Sequence, residues 1–141
     1  MYLVKTPWWL RMLYPSLTWR KKELGKTIYV TFDDGPHESA TPFVLDLLKQ
    51  YNAKASFFCI GKNVAEHPAI YQRIISEGHS VGNHTYNHTN GWKVKDETYL
   101  KDIEDASTLI HSNLFRPPYG RIKRSQIKKL NIQHSTFKII M

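Results

Sequence analysis

From residue 27 onward, apolar residues recur in two alternating rhythms. Short β-branched and aromatic runs at 28–32, 55–60, 80–83, 114–116 and 136–141 predict five strands. Between them the spacing turns helical. Val44, Leu47, Leu48 and Tyr51 predict a helix opened by Thr41 as N-cap and Pro42 at the first helical position. His67-Pro68 opens a second helix carrying Ile70, Ile74 and Ile75, and Gly78 is placed to end it. Asp96 caps a third, with Leu100, Ile103, Ser107 and Ile110 on one stripe, and residues 125–130 form a short fourth. Gly61 closes the second strand. Strands alternating with helices imply parallel βαβ units, in an open sheet or a barrel. No repeat, low-complexity stretch or linker interrupts them, so residues 27–141 read as one domain behind a lead segment, 1–26.

That lead segment is aromatic and basic, but Lys5, Pro7, Arg11 and Pro15 break it before any apolar run reaches spanning length. Neither a cleaved signal peptide nor a transmembrane helix is expected, and location stays open between cytoplasm and envelope. Trp8, Trp9, Leu10, Leu13 and Tyr14 suit a membrane interface or cell-wall contact, whereas the plainer expectation packs the tryptophans onto the domain. With 141 residues, 41% of them hydrophobic, the chain can bury a core and disorder is not expected. The net charge of +8 admits anionic partners. Its lysines and arginines are spread along the chain without the stacking aromatics of a nucleic-acid groove, so no nucleic acid is expected. The lone cysteine, Cys59, sits in an apolar run and reads as a buried thiol.

Candidate chemistry gathers at strand ends. Asp33 and Asp34 close the first strand, His84 follows the third, and Arg116 to Gly120 follow the fourth. In parallel α/β folds these are positions on one rim, where chemistry collects. His84 and His88, four apart, share a face if their segment is helical, which suits two-imidazole chelation. HxxxH alone is a weak signal, and an aspartate from another strand strengthens it. Asp34 is the better ligand candidate, because consecutive strand residues point to opposite sides and only one carboxylate can face the metal. Asp33 is then free to take a proton from an attacking water. Arg116 is a plausible partner to orient Asp33, and Pro117-Pro118 stiffen a loop whose Tyr119 and Gly120 amides are placed to face an oxyanion. His37 reads as a rim residue. His67, His79, His111 and His134 read as surface or capping residues, and the Asn-His-Thr strings at Asn83 and Asn87 as chance sequons.

Taken in order, TFDDGP, HTYNH and RPPYG resemble the polysaccharide deacetylase family, the NodB-homology or carbohydrate esterase family 4 domains. The resemblance covers residues 27–141 and implies a distorted, incomplete (β/α) barrel with about five strands. It implies Asp33 as catalytic base, and Asp34, His84 and His88 as ligands of a divalent metal, usually zinc, sometimes cobalt or another ion. Arg116 would orient Asp33, Tyr119 would supply a backbone oxyanion donor, and Pro118 would line the substrate groove. The implied reaction is hydrolysis of N-acetyl groups on N-acetylglucosamine-type polymers, peptidoglycan or chitin-like, by metal-activated water. Two alternatives stand beside it: an O-deacetylase acting on acetylated xylan, and a non-catalytic remnant binding anionic glycan or nucleic acid.

The family pattern continues with an Asp-Trp motif and a late Leu-x-His motif carrying the general acid, and neither occurs between RPPYG and Met141. The expectation is therefore weak turnover, a groove with one side open, and an unprotected strand edge along 136–141.

Overall fold

The computed structural model describes residues 6–20, 25–133 and 137–141. Five strands, β1 (Thr31–Gly35), β2 (Ser56–Cys59), β3 (Ser80–Asn83), β4 (Leu114–Phe115) and β5 (Lys138–Ile139), form one sheet in the order of the sequence. Every neighbouring pair is parallel. A doubly wound sheet reverses its order at a switch point, whereas consecutive order throughout is the winding of a barrel wall. The chain is thus α/β, with its strands arranged as an arc of such a wall.

The first strand lies later than its apolar run suggested. Ile28, Tyr29 and Val30 are exposed, and pairing starts where the Ser56 N–H donates to the Val30 carbonyl (3.0 Å). They line a groove of about 680 Å³ on the sheet's inner face, together with Phe58, Leu114 and Ile140.

Helices cover the outer face: α2 (Ala40–Gln50), α3 (Gly61–Glu66), α4 (Pro68–Ser76), α5 (Asp96–Ser107) and α6 (Arg124–Gln133). One core joins Leu45, Leu48, Phe57, Cys59, Val64, Tyr71 and Ile74; a second joins Tyr99, Leu100, Ile103, Phe115, Ile127, Leu130 and Ile139. Helix α2 begins one residue before the expected cap. Thr41 therefore lies inside the first turn, where its hydroxyl accepts the His37 N–H (2.8 Å). The buried stripe is Thr41, Leu45 and Leu48, leaving Leu47 and Tyr51 exposed. Likewise Tyr71 and Ile74 anchor α4, while Ile75 is exposed. Gly78, at φ +77°, does end that helix. Asp96 is the first residue of α5 and not its cap, because its carboxylate is drawn to Lys129 of α6 (3.3 Å).

Before β1, a short α1 (Trp8–Leu13) buries none of its residues. Trp8 is 69% and Trp9 50% exposed, so these two tryptophans do not pack onto the domain, whereas Trp19 of the same lead segment does. Leu17 enters the second core with Trp19 and Tyr14 beside it. Thr18 pairs with Ile140 on the side of β5 away from β4: its N–H donates to the Ile139 carbonyl (2.8 Å), and its carbonyl accepts from Met141 (3.0 Å). The edge expected to be bare is covered at that point by the chain's own earlier segment. Among the described residues, no helix is long and apolar enough to cross a membrane.

Candidate metal centre and active-site cleft

Asp33 and Asp34 sit where β1 loses its register. A bulge falls between Asp33 and Gly35, and Asp34 takes φ +67°. Strand alternation is therefore not what separates the two carboxylates; the left-handed turn at Asp34 is, and aspartate tolerates it better than most residues. The Asn63 side chain donates to the Asp34 carbonyl (2.7 Å), and the Gly35–Pro36 bond is cis.

The HTYNH segment is not helical. It is a loop leaving β3, held in place from three sides. The Gly61 and Lys62 amides opening α3 donate to the Thr85 and Tyr86 carbonyls (2.9 and 3.0 Å). Buried Asn83 receives the Thr85 N–H on its side-chain oxygen (2.8 Å) and donates to Ile103 and Ser107 of α5. Buried Asp102 accepts from the Asn87 backbone and side chain. Asn83 is thus fully committed inside the fold and offers no accessible sequon.

The result is a three-donor cluster. The Asp34 Oδ1 lies 3.3 Å from the His84 Nε2 and 3.1 Å from the His88 Nε2. A tetrahedral ion held at roughly 2.0–2.1 Å from each donor sets donor pairs about 3.3 Å apart, so the spacing fits a divalent metal. The tautomer fits as well. The His84 Nδ1 faces the Arg116 carbonyl at 2.6 Å and must donate to it, which turns the Nε2 lone pair to the cluster. Burial pushes the His84 pKa below the ordinary imidazole value against the opposing pull of the Arg116 carbonyl and both aspartates, which favours the neutral, ligating form.

Arg116 follows β4 and crosses to β1. Its Nη1 donates to the Asp33 Oδ1 (2.7 Å) and the Thr31 Oγ1 (2.9 Å), while the guanidinium lies over the Phe58 ring, 4.0 Å from the centroid. Tyr119 sits at φ +59° in the 3-10 turn Pro118–Gly120, its ring 4.6 Å from that of His88. The Gly120 N–H donates to the Pro117 carbonyl (3.0 Å), so it closes the turn and is not the oxyanion donor expected of it. Pro118 is buried under the turn, and Pro117 lines the cleft in its place. That cleft, about 570 Å³, brings together Asp33, Asp34, His84, His88, Arg116, Tyr119 and Gly120. His37 lies outside it, accepting from Ser39 and Ala40 at the start of α2. His79, expected as a surface or capping residue, is buried at the far end of β3, where its Nδ1 accepts the Ala55 N–H (3.3 Å). His134 lies outside the described residues.

A family model described as polysaccharide deacetylase matches residues 20–134. The chain belongs to the polysaccharide deacetylase family. Among curated members, the peptidoglycan-N-acetylglucosamine deacetylase of Bacillus cereus is 43% identical over 107 residues, 72% of this chain and 39% of that protein. The peptidoglycan-N-acetylmuramic acid deacetylase PdaC of Bacillus subtilis is 39% identical over 112 residues, 73% of this chain and 24% of that protein. Among solved structures, the Bc1960 peptidoglycan N-acetylglucosamine deacetylase matches with a TM-score of 0.74 at 42% identity, covering 79% of this chain and 54% of that one. The chain therefore spans about a quarter to a half of the length of these polysaccharide deacetylases.

Apart from Thr31, the first residue of TFDDGP, the residues that hold the site are those the motifs left out. Thr31 and Phe58 fix Arg116, Asn63 fixes the Asp34 backbone, and Asn83 and Asp102 fix the histidine loop. The one sequence signal among them is position. Phe58 falls within the second apolar run, two residues before its end, on the rim where the motifs gather.

Proposed function

We propose that this chain carries the metal-and-base part of a polysaccharide deacetylase site, acting on N-acetyl groups of N-acetylglucosamine-type polymers. The observation that carries the reading is the Asp34–His84–His88 donor cluster with a separate carboxylate beside it, Asp33, held by Arg116 at 2.7 Å. Asp34, His84 and His88 would hold a divalent ion, most simply zinc, given two imidazoles and one carboxylate with room for further ligands. Such an ion, when bound, lowers the pKa of water and polarises a carbonyl. Asp33 takes the proton of the attacking water. Arg116, clamped between Phe58 and Thr31, keeps the Asp33 carboxylate aimed across the cleft and so acts as a positioning residue. The Tyr119 amide is the oxyanion donor, its N–H unclaimed by the turn that engages Gly120. The names of the relatives favour peptidoglycan among the polymers.

Acetate release from peptidoglycan, chitooligosaccharides and acetylxylan, measured on the full chain with added zinc or cobalt, tests this reading. Asp33→Asn is expected to lower release by about 10²–10⁴-fold with metal content unchanged. His84→Ala is expected to lose the metal. Metal content and acetate release that ignore both substitutions would overturn the assignment, and release from acetylxylan alone would move the chemistry to O-acetyl esters.

A further inference from the structure

Trp92 follows the histidine loop, packs against the chain just beyond the Tyr119 turn, and has no role in the chemistry above. It is four residues beyond His88, and four residues of extended chain span at most about 14 Å. The indole is 59% exposed, yet it is fixed in place. Its Nε1 donates to the Ile122 carbonyl (3.3 Å), and its backbone N–H donates to the Asn90 side chain (3.0 Å). The turn carrying it is clamped to the Tyr119 loop. A Cβ on Gly91 would meet the Arg121 carbonyl at 2.6 Å, so only glycine allows that approach. The fully buried Gln126 straps both sides, donating to the Gly91 carbonyl (2.8 Å) and accepting the Lys123 N–H (2.8 Å).

Arg121 completes the arrangement. Its guanidinium lies 5.3 Å from the Trp92 ring centroid, and it is exposed. Among the described residues it has no acidic partner. Two residues before it, the Tyr119 ring rests on His88. One exposed ring, Tyr119, therefore touches the metal donors, and two residues further on Arg121 sets a positive charge, with no acidic partner among the described residues, against the exposed Trp92 ring.

A rigid, half-exposed aromatic plate suits the face of a pyranose, whose C–H groups are apolar and slightly positive against the negative face of the ring. A guanidinium beside it recognises a carboxylate. We propose that Trp92 and Arg121 form a glycan subsite beside the metal centre, the indole carrying a neighbouring sugar and Arg121 reading a carboxylate on that sugar. This rests on the deacetylase reading and narrows it to carboxylate-bearing glycans over neutral ones.

The test separates binding from turnover. Calorimetric titration of the zinc-loaded full chain carrying Asp33→Asn compares two oligosaccharides of equal length: chitotetraose, and a tetrasaccharide alternating N-acetylglucosamine with N-acetylmuramic acid. The acidic glycan is expected to bind about three- to fivefold more tightly at low salt, an advantage that Arg121→Gln removes. Trp92→Ala is expected to weaken both glycans by about tenfold, with Trp92→Phe restoring most of the loss. Equal binding of both glycans by the parent and the variants, or no binding of either, would overturn the subsite whether or not the unaltered chain releases acetate. Trp92-dependent binding preferring the acidic glycan, from a chain that releases no acetate, would uphold the subsite and sink the deacetylase reading instead.

Discussion

His79 and His84 share one chemistry and face opposite ends of the sheet. Both imidazoles are buried, and burial is the main cause that holds each below its ordinary pKa, with the Lys54 charge adding to the effect at His79. His79 accepts the Ala55 N–H through Nδ1, and its Nε2 finds no hydrogen-bond partner among the described residues. Protonation would cost it that accepted bond. A histidine whose folded pKa lies below the unfolded value binds fewer protons when folded, so its contribution is complete above about pH 6.5 and is lost as pH falls through the folded pKa. The unfolding free energy from urea titration is expected to drop between pH 7 and pH 5, by at most about 1.4 kcal/mol per pH unit for each such group. His79→Gln, whose side-chain oxygen can still accept from Ala55, should flatten that slope, and an unchanged slope would clear His79 of the effect. At this scale the membership of the cleft was legible from residue types and spacing, but its posture was not. Asp34, Thr85, His88 and Tyr119 all carry positive φ without being glycine, a cost that surrounding contacts must impose and that no residue type announces.

Helix α3 shows what a local pattern conceals at the scale of elements. Gly61 reads as a stop after β2, yet it opens α3, because a Cβ there would meet the Tyr86 ring at 2.6 Å and the Ala106 backbone at 3.1 Å. The glycine is a packing requirement between three elements, and from that seat its N–H holds the histidine loop. Gly61→Ala is expected to cost about 1–3 kcal/mol through overpacking and, by shifting that loop, to weaken zinc binding as well. Thermal unfolding and a zinc titration read the two effects separately, and a loss of stability with zinc affinity intact would detach α3 from the site. The strands were legible because short apolar runs between glycines and prolines leave little choice. The helical stripes were less so: moving the start of α2 by one residue exchanges Leu47 for Leu45 in the core. The rotation about a helix axis is set by its partners, which local periodicity does not contain.

At the scale of the whole molecule, the sheet grows in sequence order except at one place. The Thr18–Ile140 pairing joins residues 122 apart (140 − 18), and nothing in either local sequence marks it, which is why that edge was expected to be bare. Thr18→Pro removes the N–H that reaches the Ile139 carbonyl, at a cost of about 1 kcal/mol. A lowered melting temperature with a rise in light scattering is the expected outcome, whereas unchanged values would make the pairing incidental. The same pairing sets a schedule during synthesis. Strands β1 to β4 can each dock on the one before as the chain leaves the ribosome, but the residues around Leu17 have no β5 to join until the last of these residues has been made. Until β5 emerges, that short segment waits without a strand beside it, and the chaperones that meet the nascent chain would find it there first.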